Sequence, residues 1–134
     1  MRKTALALAL LSACGGGGGT GDGATLPECP TPPPTLVGTS NLPPRFPIPP
    51  GVQVTQSRAA GPTTVVNGYS DDSIPTLFEA WSKALDEPPY SVVKSEQEAH
   101  DAEVNFSGED TTGQVRLGEE CEGRTSVQIT ARPL

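Results

Sequence analysis

Cys14, Cys29 and Cys121 are the side chains of this 134-residue chain with the most chemistry available to them. A thiol can act as a nucleophile, ligate a metal or form half of a disulfide, and its surroundings decide which. Cys14 ends a short leader in which Arg2 and Lys3 precede an apolar run, residues 4–11 (TALALALL). A positive start and a short apolar stretch form the layout of a secretory signal, too short to span a bilayer. In an oxidising compartment the two remaining cysteines, an even pair, favour a Cys29–Cys121 disulfide. Free thiols and a metal site are the alternatives. The neighbours Glu119, Glu120 and Glu122 are hard oxygen donors that match a soft thiolate poorly.

Catalytic constellations are harder to assemble. His100 is the single histidine, lying between Ala99 and Asp101, and no Gly-x-Ser-x-Gly elbow offers it a serine. The sixteen acidic residues fall mainly on polar turns and exposed strand positions, where nothing in the sequence converges a pair for glycoside chemistry. Walker A, dinucleotide-binding and zinc spacings are absent. Glu96, Glu98, His100, Asp101 and Glu103 make the densest polar cluster. They lack the spacing and glycine of an EF-hand and read as a solvated edge. The expectation is a protein that is not an enzyme and carries no cofactor and no bound metal.

Leu11-Ser12-Ala13-Cys14 resembles the lipobox of bacterial lipoproteins at all four positions. The resemblance covers about the first twenty residues. It implies that residues 1–13 are a signal peptide and that Cys14 becomes the first residue of the mature chain, joined through sulfur to a diacylglycerol. Further acylation, palmitate-like, would complete the anchor. Two or three chains, at about 0.8 kcal/mol per buried CH₂, hold a protein stably where one chain is marginal. Gly15, in place of Asp, is the choice that by the same resemblance permits outer-membrane delivery. The implied location is therefore the cell membrane or outer membrane, lipid-anchored and extracytoplasmic.

Charge agrees with an anchor of lipid rather than of basic residues. Nine basic residues stand against sixteen acidic, a formal net charge of −7, which loss of Arg2 and Lys3 would take to −9. That argues against nucleic acid and against an anionic bilayer surface as direct partners. Seven of the fifteen glycines lie in residues 15–23 and ten of the fifteen prolines in residues 27–50, whereas all six aromatics follow residue 45. A stretch without aromatics or apolar periodicity cannot offset the entropy of ordering it. Residues 14–44 thus read as the modified Cys and a Gly/Pro-rich tether, and residues 45–134 as one small domain. Residues 30–34 should favour polyproline II. Residues 30–33 match a PxxP ligand but read as a spacer.

The domain must position whatever function there is. Residues 52–55 alternate as a strand, and residues 63–69 form a second β-rich run that could pair with it as a hairpin. Ile74, Leu77, Phe78, Trp81, Ala84 and Leu85 make one apolar helical stripe, capped by Asp72 or Ser73 and stopped by Pro88-Pro89. Trp81 lies on that stripe, as a core residue rather than a ligand-stacking one. Four strands follow with short polar links, which favour antiparallel neighbours. Three of them have one apolar face, carried by Ala102, Val104 and Phe106, then Val115 and Leu117, then Val127, Ile129 and Ala131. The face of the strand from Tyr90 is ambiguous. The expected fold is α+β: one amphipathic helix packed on an antiparallel four-stranded meander, preceded by a hairpin or lone strand. That order loosely resembles the cystatin-like arrangement of a helix before four strands. Residues 46–51 (FPIPPG) should lay the chain onto the domain edge.

On this reading the opposite face of the sheet, with Glu103, Asn105, Gln114, Arg116, Gln128, Thr130 and Arg132, is the working surface of a non-enzymatic interaction domain with an envelope protein as partner. A small-ligand carrier or sensor would need a pocket between helix and sheet. A hydrolase would need a convergence the sequence does not display.

Overall fold

The computed structural model describes residues 25–36 and 41–134. The lipobox, Cys14 and the glycine run fall outside the described residues. In order the elements are β1 (Gln53–Ala60), β2 (Thr63–Ser70), α1 (Ile74–Leu85), β3 (Tyr90–Gln97), β4 (Asp101–Gly108), β5 (Thr111–Cys121) and β6 (Arg124–Pro133).

The expected α+β fold, one helix on a four-stranded meander preceded by a hairpin or lone strand, is incorrect. The protein is mostly β: one sheet of six antiparallel strands in the order β1-β2-β6-β5-β4-β3, with a single short helix. β2 pairs with β6 along its length, from Thr64 opposite Ala131 to Ser70 opposite Thr125. A meander ending at β6 would leave that strand's outer N–H and C=O groups unpaired, and β2 satisfies them. The pairing also sets Val66 beside Ile129, which extends the apolar face by a strand. The helix accordingly follows two strands of the same sheet, so the cystatin-like order of elements does not apply either.

Local chemistry explains the helix. The Ser73 hydroxyl accepts from the Thr76 amide at 3.4 Å, which caps the first turn, and a proline occupies an early position where its missing N–H is harmless. Lys83 sits in the last turn, near the carbonyl end of the dipole. Ile74, Leu77, Trp81 and Leu85 are buried along one face of the helix, against β3, β4 and β5.

One helix over three strands leaves the rest of the apolar face uncovered. The chain before β1 supplies the missing cover. Leu42 is buried in the core, and Phe46, Ile48 and Val52 pack against it. Phe46 lies 5.3 Å from Phe106, 5.6 Å from Tyr90 and 6.2 Å from Trp81, ring centre to ring centre. The packed chain therefore includes Leu42, which the composition had grouped with the tether.

Beneath this aromatic cluster β5 carries Gly113. A Cβ there would press on the Thr130 carbonyl and on the ring of Phe106. Backbone cannot yield as a flexible side chain would. Gly113→Ala is expected to cost about 1–3 kcal/mol, read as a lower thermal midpoint with the sheet signature in circular dichroism retained.

The ambiguity of β3 has a simple origin. Its pairing with β4 shifts between Val92 and Lys94, a bulge at Val93. Tyr90 and Val92 therefore meet the core, Val93 is 69 % exposed, and Lys94 arrives on the other face opposite Asn105. An extra residue reverses the alternation halfway along, so no single face runs the length of the strand.

Cys29 and Cys121 form a disulfide, with their Cα atoms 5.1 Å apart. It ties the segment of residues 25–36 to the β5–β6 turn. There the Glu122 amide donates to the Pro27 carbonyl at 2.9 Å, and further on the Leu36 amide donates to the Val54 carbonyl at 2.7 Å.

Candidate interaction surface

The sheet has one covered face and one open face. Alternation along each strand sends Val104, Val115 and Ile129 to the core and their neighbours outward. Glu103 and Asn105 on β4, Gln114 and Arg116 on β5, and Gln128, Thr130 and Arg132 on β6 all share the open face, set side by side by the strand register.

The register extends these residues into rows that cross the entire sheet. Gln56 of β1 stands opposite Asn67 of β2, and Asn67 opposite Gln128 of β6. Gln128 is opposite Arg116 of β5, which is opposite Glu103 of β4, which is opposite Glu96 of β3. The neighbouring row runs Arg58, Val65, Thr130, Gln114, Asn105 and Lys94. Arg132 lies one row further, opposite Thr112.

Amide side chains link the rows. Gln114 Nε2 donates to Glu103 Oε2 at 3.0 Å and to Asn105 Oδ1 at 3.3 Å. Gln128 Nε2 donates to Asn67 Oδ1 at 3.1 Å, and Asn67 Nδ2 to Gln56 Oε1 at 3.2 Å. Lys94 Nζ lies 3.0 Å from Glu96, and that hydrogen bond and its charge raise the lysine above its ordinary pKa. Such exposed pairs contribute little to stability. Their effect is to fix the direction in which donors and acceptors point.

Two open depressions lie on this face. One of about 400 Å³ is walled by Thr63, Asn105, Thr112, Thr130 and Arg132 over the backbone of Gly113 and Ala131. The other, about 660 Å³, runs between Gln56, Asn67 and Gln128 on one side and His100, Arg116 and Glu119 on the other.

Sequence reasoning missed Gln56, Arg58, Asn67, Lys94 and Glu96 as members of this face. Attaching β1 and β2 to the sheet adds the first three, and the bulge at Val93 turns the last two outward. The sequence did carry one signal: in β2 the polar Asn67 is two residues from Val65, on the side away from Val66.

The remaining residues singled out by type are dispersed. His100 Nδ1 lies 2.8 Å from Glu119 Oε2 at the exposed β3–β4 turn, and the Ser126 hydroxyl nearby donates to the Gly118 carbonyl at 3.2 Å. Within the acidic cluster Glu96 and Glu103 face each other across strands, while the Glu98 amide and Asp101 carbonyl close the turn at 2.8 Å. Among the described residues no three His, Cys, Asp or Glu side chains gather as metal ligands. Trp81 is fully enclosed in the core. The Tyr90 hydroxyl is buried without a partner, and burial first, then the Glu109 carboxylate, raise its pKa above the usual phenol value.

No protein-family model matches the chain, and no curated protein matches it significantly.

Proposed function

We propose that this protein is a membrane-anchored, extracytoplasmic lipoprotein whose domain acts by binding through the open face of its sheet. The observation that carries the reading is a division of labour between the two faces. One is sealed by α1 and the segment before β1, and the other presents ordered amide, hydroxyl and charged groups across six strands. The lipobox resemblance supplies the anchor, through lipid on Cys14. The partner is an envelope protein, met at a polar surface rather than drawn into a cavity. Trp81, Leu85, Val104, Phe106, Val115 and Leu117 fill the space between helix and sheet without solvent contact, which counts against a carrier with its pocket there. The His100–Glu119 pair stands exposed, and the nearby Ser126 hydroxyl donates to the Gly118 carbonyl, which counts against a hydrolase built on this histidine.

Two measurements test the reading. Cys14→Ser is expected to abolish incorporation of labelled palmitate and to move the protein from the membrane to the soluble fraction. Unchanged membrane retention would reject the anchor. For the face, Asn67→Ala combined with Gln114→Ala leaves the core intact and removes the centre of both amide networks. Capture of envelope partners from detergent extracts is expected to fall by about tenfold, since buried polar contacts at an interface centre contribute on this scale. Equal capture by the variant would remove the face from consideration.

A further inference from the structure

The segment of residues 25–36 is held in an unusual way. Leu26 and Cys29 are half-buried and every other residue of the segment is exposed, so it contributes almost nothing to the core. Two backbone hydrogen bonds join it to the sheet, one to the Pro27 carbonyl and one from the Leu36 amide. The Cys29–Cys121 bond is the one covalent tie. Among the described residues the next attachments along the chain are Asn41, hydrogen-bonded to Ser57 and Thr64, and Leu42, buried under the sheet. Cys121 is 2 % exposed whereas Cys29 is only half-buried, so a reductant meets the bridge from the Cys29 side.

We infer that residues 25–36 form a redox-releasable strap that sets how far the domain stands from its anchor. The inference rests on the lipid-anchor reading of Cys14. With the bridge closed, the chain from residue 14 to residue 29 reaches at most about 50 Å, at roughly 3.3–3.6 Å per residue. With it open, the chain runs from residue 14 to Leu42 and reaches about 95 Å. The closed bridge also fixes orientation, because it draws the β5–β6 turn toward the membrane. Leu26 further closes a depression of about 270 Å³ against Ile74, Pro75 and Cys121, which release would open.

The chemistry is thiol–disulfide exchange with a dithiol reductant. One thiolate of the reductant attacks the Cys29 sulfur and displaces the Cys121 thiolate, which takes up a proton. The second thiol of the reductant then resolves the mixed disulfide. Two electrons and two protons pass to the protein, leaving Cys29 and Cys121 as thiols and the reductant as a disulfide.

The full chain is to be followed by hydrogen exchange with and without dithiothreitol. Protection at the Glu122 and Leu36 amides is expected to fall on reduction to nearly that of an unfolded chain, while the amides of β4, β5 and β6 stay protected, lowered by no more than the global loss of stability. Loss of protection throughout the sheet to the level of an unfolded chain would show that the bridge holds the fold, not a strap, and unchanged protection at both marker amides would show that it holds nothing. Cys29→Ser should reproduce the reduced pattern without reductant. Reach is read on vesicles containing a dansyl-labelled lipid, with Trp81, the single tryptophan, as donor. Energy transfer is expected to drop on reduction, and equal transfer in both states would overturn the change in reach. The anchor reading fails by a different observation, membrane retention of Cys14→Ser, and strap release in solution does not depend on it.

Discussion

Phe106→Ala is expected to destabilise the fold by about 3–5 kcal/mol, the range for removing a large aromatic from a closed core. Phe106 is fully buried in the middle of β4, meets Tyr90 edge-on at 5.9 Å and carries Phe46 above it at 5.3 Å. The cavity cannot collapse readily, because its floor is the backbone of Gly113 and its walls are strands paired on both sides. Stabilities of small domains run to about 5–15 kcal/mol, so the variant should sit near the edge of folding at 37 °C. Urea denaturation followed at Trp81 measures it. A double-mutant cycle with Phe46→Ala sharpens the result. A coupling of about 0.5–1.5 kcal/mol is expected for the ring pair beyond area burial, and a cycle closing at zero would mean that the segment before β1 is not part of the core.

Removal of the disulfide is the second large effect. The bridge closes a loop with a sequence separation of 92. Chain entropy for such a loop amounts to roughly 4–5 kcal/mol. The strap that it holds is largely exposed, so in the native protein the open form regains some freedom as well. That offset places the expected loss at about 3–4 kcal/mol, measured by urea denaturation with and without reductant, each with its own slope because the opened unfolded chain is less compact. Cys121→Ala, which leaves a small apolar group at the buried end, should match the reduced protein. A loss below about 1 kcal/mol would mean that the unfolded chain keeps its ends together without the bridge.

Alkaline pH offers a smaller effect of defined sign. The folded state raises the pKa of Tyr90, so the folded protein holds that proton where the unfolded chain releases it. The associated stability is complete below about pH 10, the ordinary phenol value, and is lost as pH rises through the folded-state value. Tyr90→Phe keeps the ring in the aromatic cluster and removes the orphaned hydroxyl. It should abolish this alkaline component.

Much was legible from residue pattern alone. The helix followed from a stripe of apolar residues at helical spacing together with Ser73 and the prolines around it, because helix formation is decided within a few turns. The faces of β4, β5 and β6 followed from strict alternation, and with them the seven residues of the open face. The disulfide followed from the even pair, Cys29 and Cys121, that remains beside Cys14. Each of these depends on neighbours close in sequence or on a simple parity.

Three features were decided only in three dimensions. Whether β2 stands apart or joins β6 depends on an edge more than fifty residues away, and no local pattern encodes that choice. The bulge at Val93 depends on how β3 must fit β4, since the sequence Val92-Val93 is apolar on both sides of the strand. The burial of Leu42 and the stacking of Phe46 over Phe106 arise because a twelve-residue helix is too small to cover a six-stranded sheet. The sequence by itself determined the helix, the polar and apolar sides of β4, β5 and β6, and the cysteine pairing. The tertiary structure decided which edges meet and what covers the exposed apolar area, because both are settled by unpaired backbone groups and uncovered surface that exist only once the sheet has formed.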